Sequence, residues 1–366
     1  MWTSLLFASA AGMFLLPLLP ALLELRLKRD IEPVTVDQAN AGNIDYFAES
    51  FQAFITDAID DYQAGATDRL VPQNYSLYEH DSHFQPTAIE AKQAIADRLI
   101  VGFGELFLPA GFNFNQEIFG KRNVNSGENC RLRSVLALEK LVLGKNTQLL
   151  RWAHARNIFA ASGCVLLGRV SAEAEFRLQP YCQFARINAN PIFVDSGNDV
   201  DVLCQASKQS KTPVVALQDF VDSAGRVMLN NNLDFPEHGS WQGDMVIKGD
   251  ALIRRGAYIS GNLKVYGNVL IEPGVEILGA IISNKTLTIA SDCLLNGPLV
   301  AEQVIEIDSR CRIGRSGVPS TVTAPIIRIA SGTRVYGSLW ARERGEIVDS
   351  LSNGQRAAHT NSKHLS

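Results

Sequence analysis

The chain has 366 residues, 46% of them hydrophobic and 20% charged, and a formal net charge of -4. That composition supports a packed core and excludes a disordered chain, and without a basic excess it carries no global footprint for nucleic acid. Its 6 cysteines, with no CxxC pair, are too sparse for a disulfide framework and give no support to zinc-ribbon or thioredoxin-type chemistry.

From Ser4 to Leu23 the chain carries no charge, and a helix of that length matches a hydrocarbon core of about 30 Å. Ser4, Leu5, Phe14, Leu15, Leu18 and Leu23 are thus read as a membrane anchor, kinked at Pro17 and Pro20. A cleaved signal peptide fits less well, because no basic residue precedes the run and LLELRLKRD offers no small-residue cleavage site. Arg26, Lys28 and Arg29 follow directly, so the positive-inside rule places the rest of the chain in the cytoplasm. Residues 1–29 form this unit, a single pass through a bacterial inner membrane, with a periplasmic domain as the alternative.

Residues 30–110 read as a helical and loop region. Ile44, Phe47, Phe51, Phe54, Ile55 and Ile59 share one face of a helix over 41–63, and Ala88, Ala91, Ala94 and Ile95 share one over 87–99. His80 and His83, in HDSH, lack the partners of a metal site.

The strongest signal begins at Trp241. Ile247, Ile253, Ile259, Val265, Ile271, Ile277, Ile289, Leu295, Ile307 and Ile313 recur every sixth residue, and after a four-residue insertion in GRSGVPSTVT the ladder resumes through Ile329 and Val335. A second apolar position follows four residues after the first, as at Leu263, Val269, Val275 and Ile281. Three hexads make an 18-residue unit, visible in GAYISG, GVEILG, DCLLNG and RCRIGR. Such a period predicts a solenoid whose every coil has three short strands and three corners. Glycine falls two residues after the ladder position at Gly243, Gly249, Gly261, Gly267, Gly279, Gly297 and Gly337, which suggests corner φ values closed to other residues.

A less regular ladder runs through Ala137, Leu143, Leu149, Ala155, Ala160, Leu166, Ala172, Leu178 and Phe184, and predicts about three further coils. The segments are thus 111–190 and 241–347, separated by an insertion over 191–240 with a helix at Val214–Ala224. A polar tail, 348–366, follows. Cys164 with Cys182, and Cys293 with Cys311, stand 18 residues apart and should stack on adjacent coils, as buried thiols rather than disulfides. The edge after Ile347 has no capping helix, which marks it as an open end for joining to another molecule.

The run LKVYGNVLIEPGVEILGAIISNKTLTIASDCLLNGPLVAEQVIEIDSRCRIG, with TAPIIRIASGTRVYGSLWA behind it, resembles the bactofilin family of bacterial polymer-forming cytoskeletal proteins. The likeness is good over 241–347, weaker over 130–188 and absent before that. It implies a right-handed, three-sided parallel β-helix, association with the lipid bilayer, self-association through the β-helix ends into nucleotide-independent filaments, and recruitment of cell-envelope proteins. The expected fold is therefore mainly β, a β-helix with an N-terminal transmembrane helix and a small α-helical region. The expected function is a non-catalytic, membrane-anchored scaffold without cofactor or metal. A monomeric envelope or polysaccharide-binding module is the alternative.

Enzymes sharing the period, left-handed β-helix acyltransferases above all, need a histidine base in the solenoid. Residues 241–347 contain none. His154 and His238 read as surface or corner residues, and Asp244, Asp250, Asp292 and Asp308 show no catalytic spacing for a polysaccharide lyase or hydrolase.

Overall fold

The computed structural model describes Trp2, Leu18 and residues 44–63, 75–195 and 226–351. The expected anchor residues Ser4, Leu5, Phe14, Leu15 and Leu23, and the flank Arg26, Lys28 and Arg29, lie outside the described residues, as does the helix expected at Val214–Ala224. Leu18 is exposed. Among the described residues no helix is long and apolar enough to cross a membrane.

The described chain is a β-solenoid of about 12 turns. Its short strands mostly alternate: in Val269–Ile271 the two outer side chains are buried and Leu270 faces out. Stacking repeats that alternation coil upon coil, with Met245 opposite Leu263, Leu263 opposite Ile281 and Ile281 opposite Leu299. Ile247, Ile253, Ile259, Val265, Ile271, Ile277, Ile289, Leu295, Ile307, Ile313, Ile329 and Val335 are all fully buried in one continuous core. The one polar interruption, Ser283, is buried and donates to the Gly267 carbonyl at 2.8 Å, so it carries no unsatisfied group.

Pairing between coils stacks the strands into ladders, labelled faces A, B and C. Face A holds residues 75–78, 99–102, 118–120, 134–137, 152–155, 169–172 and 186–189 of a first solenoid. It continues through 337–341, 320–324, 299–301, 281–283, 263–265, 245–247 and 227–229 of a second. Face B includes 157–160 and 312–313, and face C 148–149 and 304–307.

The segment boundaries differ from the sequence expectation. Coils begin at Tyr75 rather than at 111, because the short strands Tyr75–Tyr78 and Ser82–His83 are followed by an excursion before Ile95–Ala96. The second solenoid begins at Val227, its first coil being Val227–Leu229, Leu233–Phe235 and Ser240–Gln242. That coil keeps the six-residue spacing through Leu229, Phe235 and Trp241, but two of the three are aromatic, so the aliphatic ladder is legible only from Trp241 onward. The helix expected over 87–99 is shorter, α2 at Ala88–Gln93, following α1 at Tyr46–Gln63. Thr87 and Glu90 close α2 with a capping box, and Ala94 ends it in the left-handed region.

The corner glycines have two separate causes. Gly243 and Gly337 have positive φ, as expected from the spacing. At Gly261, Gly279 and Gly297 the cause is contact: an added Cβ would lie 2.0–2.2 Å from the carbonyl oxygen of the glycine one coil earlier. Left-handed backbone instead stacks at another corner, through His238, Gly256, Gly274, Asp292, Arg310 and Gly332.

The four paired cysteines are free thiols. Each donates to a carbonyl of an earlier coil: Cys164 to Gly144 at 3.2 Å, Cys182 to Ala161 at 3.2 Å, Cys293 to Glu272 at 3.3 Å and Cys311 to Ala290 at 3.1 Å.

Candidate functional site: the paired coil ends

Among the described residues the most distinctive chemistry is at the strand edges. Within each solenoid all coils run parallel, and every terminal coil therefore leaves a row of unpaired N–H and C=O groups. The last strand of the first solenoid, Gln183–Val194, meets the last strand of the second, Arg334–Val348, and the two pair antiparallel along their length. Arg186, Ile187 and Asn188 oppose Trp340, Leu339 and Ser338 on face A; Ile192 opposes Val335 and Phe184 opposes Gly345.

Backbone bonds close the junction. Tyr181 donates to Ile347 at 3.0 Å and Ile347 to Cys182 at 2.9 Å; Val194 donates to Thr333 at 3.0 Å and Gly332 to Val194 at 2.7 Å. Ile187, Leu339, Ile192, Val335, Phe184 and Ile347 are buried, so the core passes through the joint without interruption. Outside, the guanidinium carbons of Arg177 and Arg334 sit 4.7 and 4.6 Å from the Phe193 ring centroid, and that of Arg186 sits 4.8 Å from Trp340. At exposed sites such contacts contribute roughly 0.5–1 kcal/mol each.

The junction corrects one expectation. The edge after Ile347 is not open: it is covered by a strand of the same chain. Among the described residues the first-coil strands Tyr75–Tyr78, Ser82–His83 and Ile95–Ala96 each pair with another coil on one side only. Sequence reasoning missed the pairing because it joins strands whose residues, such as Asn188 and Ser338, are 150 positions apart.

Face A carries a second feature. In the first solenoid its outward side chains Leu77, Val101, Phe119, Leu136 and Trp152 form an apolar stripe, which α1 covers with Ala48, Phe51 and Ile55. Phe51 packs against Trp152 with ring centroids 5.4 Å apart. An 18-residue helix is about 27 Å long, enough to bridge five or six coils spaced about 4.8 Å apart.

The polar residues weighed for chemistry are spent on structure. Asp244 and Asp250 accept from the backbone N–H of Asn262 and Asn268 one coil on, each at 2.8 Å. Asp292 takes two bonds from Arg310, both 2.7 Å, and that guanidinium holds its carboxyl below the usual range. His83 stacks on Phe107, His238 is exposed at a corner, and among the described residues no cluster could hold a metal ion. His154 is neither exposed nor at a corner. It lies on face A beneath the start of α1, beside Ser171 and two carboxylates. No family model, curated protein or solved structure matches the chain.

Proposed function

We propose that the chain is a non-catalytic structural rod of the bactofilin type, anchored in a bacterial membrane by residues 1–29, that joins copies of itself through coil ends and organises proteins of the cell envelope. The observation that carries this reading is the junction. Two final coils of this fold join edge to edge within the chain, and the first coil, Tyr75–Tyr78 with Ser82–His83 and Ile95–Ala96, pairs on one side only among the described residues, which leaves an edge for a second copy. Backbone edges are complementary to any like edge, so joining needs no nucleotide.

The antiparallel pairing of Gln183–Val194 with Arg334–Val348 supports the chemistry, since it is an edge-to-edge joint between two coils of this same fold. The 18-residue aliphatic ladder supports the family reading. Electron microscopy and sedimentation of the purified chain, with and without residues 1–29, test it. Filaments in the absence of nucleotide are expected from both forms. A species that stays monomeric at high concentration refutes the polymer and leaves a monomeric envelope-binding module.

A further inference from the structure

His154 projects outward from face A, between Leu136 on the preceding coil and Ser171 on the next. Its Nδ1 lies 2.8 Å from Ser171 Oγ and 3.5 Å from an Asp45 carboxylate oxygen, and its Nε2 lies 3.5 Å from Glu173 Oε1. The imidazole is 13% exposed. Asp45 directly precedes α1, and its carbonyl accepts the Glu49 N–H at 2.9 Å. One ring thus ties the first turn of the helix to two positions on the next coil.

Serine, histidine and carboxylate invite a nucleophilic reading. Ser171, however, is only 3% exposed, so its hydroxyl meets no substrate while α1 is seated. The arrangement holds the helix. We propose that His154 is a pH-sensitive latch for α1: as an imidazolium it fastens the first helical turn to the first solenoid, and loss of its proton releases that turn.

The charged groups around it are few. Asp45 and Glu49 come from α1; Glu173 and Arg169 come from the strand Val165–Leu178, with the Arg169 guanidinium 5.3 Å from the Phe47 ring. The preceding coil offers only apolar Leu136. Burial favours the neutral ring, but the Asp45 and Glu173 carboxylates outweigh it and raise the His154 pKa above 6.5. The bond to His154 lowers that of Asp45 below 3.8. A raised histidine stabilises the docked state fully below the undocked value, and the contribution is lost as pH rises through the docked one. For Asp45 the contribution is present above 3.8 and is lost as pH falls through its lowered value. The latch is therefore closed below the ordinary histidine value and opens as pH rises through the raised one. The helix body stays seated on the stripe under Ile55, so opening is confined to the turn that leads back toward residue 43.

Hydrogen exchange of the full chain tests this, with rates corrected for the intrinsic pH dependence. Between pH 6.0 and 8.5, protection of a peptide covering 44–56 should fall roughly 3- to 10-fold, the scale of losing one partly buried charge pair. Peptides from the second solenoid should not change. His154→Gln should remove the pH dependence and fix protection at the wild-type alkaline level; Glu173→Gln, at an exposed carboxylate, should reduce the dependence without threatening the fold. Equal protection of wild type at both pH values, or an unchanged dependence in either variant, would overturn the latch.

Discussion

Gly279 and Gly274 lie five residues apart in one coil and should lose stability by different amounts, for different reasons, on substitution. A Cβ on Gly279 would fall 2.1 Å from the Gly261 carbonyl oxygen and 2.8 Å from the Asn262 nitrogen. Relief requires the two coils to part by about 1 Å, which weakens nearby bonds such as Leu278 to Ile259 at 3.0 Å and Leu263 to Ala280 at 2.8 Å. Two bonds at about 0.5–1.5 kcal/mol each, added to about 1–3 kcal/mol of overpacking, give a loss of roughly 2–6 kcal/mol for Gly279→Ala. Gly274 has φ +76° and open space where the Cβ would go. There Gly274→Ala should cost about 1–2 kcal/mol of left-handed backbone strain, and Gly274→Asn less, since Asp292 and Arg310 hold the same conformation one and two coils on. Urea unfolding followed by circular dichroism reads the difference as a shift in midpoint, compared at unchanged m. If Gly279→Ala shifts the midpoint no more than Gly274→Ala, close approach of the coils is not what selects glycine at 261, 279 and 297.

Three other outcomes are expected. In the pair Asn188→Cys with Ser338→Cys, whose parent side chains bond at 2.7 Å across the junction, oxidation should give a disulfide within one chain; a dimer on a non-reducing gel would show that the final coils pair between molecules instead. Val227 donates to Asp244 and Leu229 accepts from Lys248, so the N–H of Met228 points away from the next coil, and where copies join at this coil Met228→Pro should shorten or abolish polymers while leaving the circular dichroism spectrum unchanged. Burial pushes the thiols of Cys130 and Cys311 up; with Cys204→Ser, no thiol should react with a maleimide in the native protein at pH 7, and all should react in denaturant.

What the sequence made legible was whatever repeats. From Ile247 to Ile313 the inward ladder has a fixed period, and its burial follows from that period alone. The first solenoid was harder to read, since its coils advance 17 residues from Arg131 to Gln148 and from Gln148 to Val165 but 18 from Val165 to Gln183, and α2 displaces the strands before Ile95. The junction left no periodic mark at all: Arg186 and Trp340 look like ordinary outward residues until the two final coils are seen to meet. The His154 cluster was hidden for a similar reason. Ser171 stands one coil away, and Asp45 arrives from a helix that crosses the coils instead of stacking with them.

The antiparallel joint also imposes a timetable on synthesis. The first solenoid can wind as soon as its residues emerge, but its final edge, around Asn188, waits for Ser338, 150 residues later. At about 5–20 residues per second, that edge stands open for roughly 8–30 s on every nascent chain. Chains translated side by side on one message would then hold identical, unsatisfied edges in close proximity. The last strand to be made is the one that seals each molecule against its neighbours, so a ribosome stalled before Arg334 would release a protein with a bare edge.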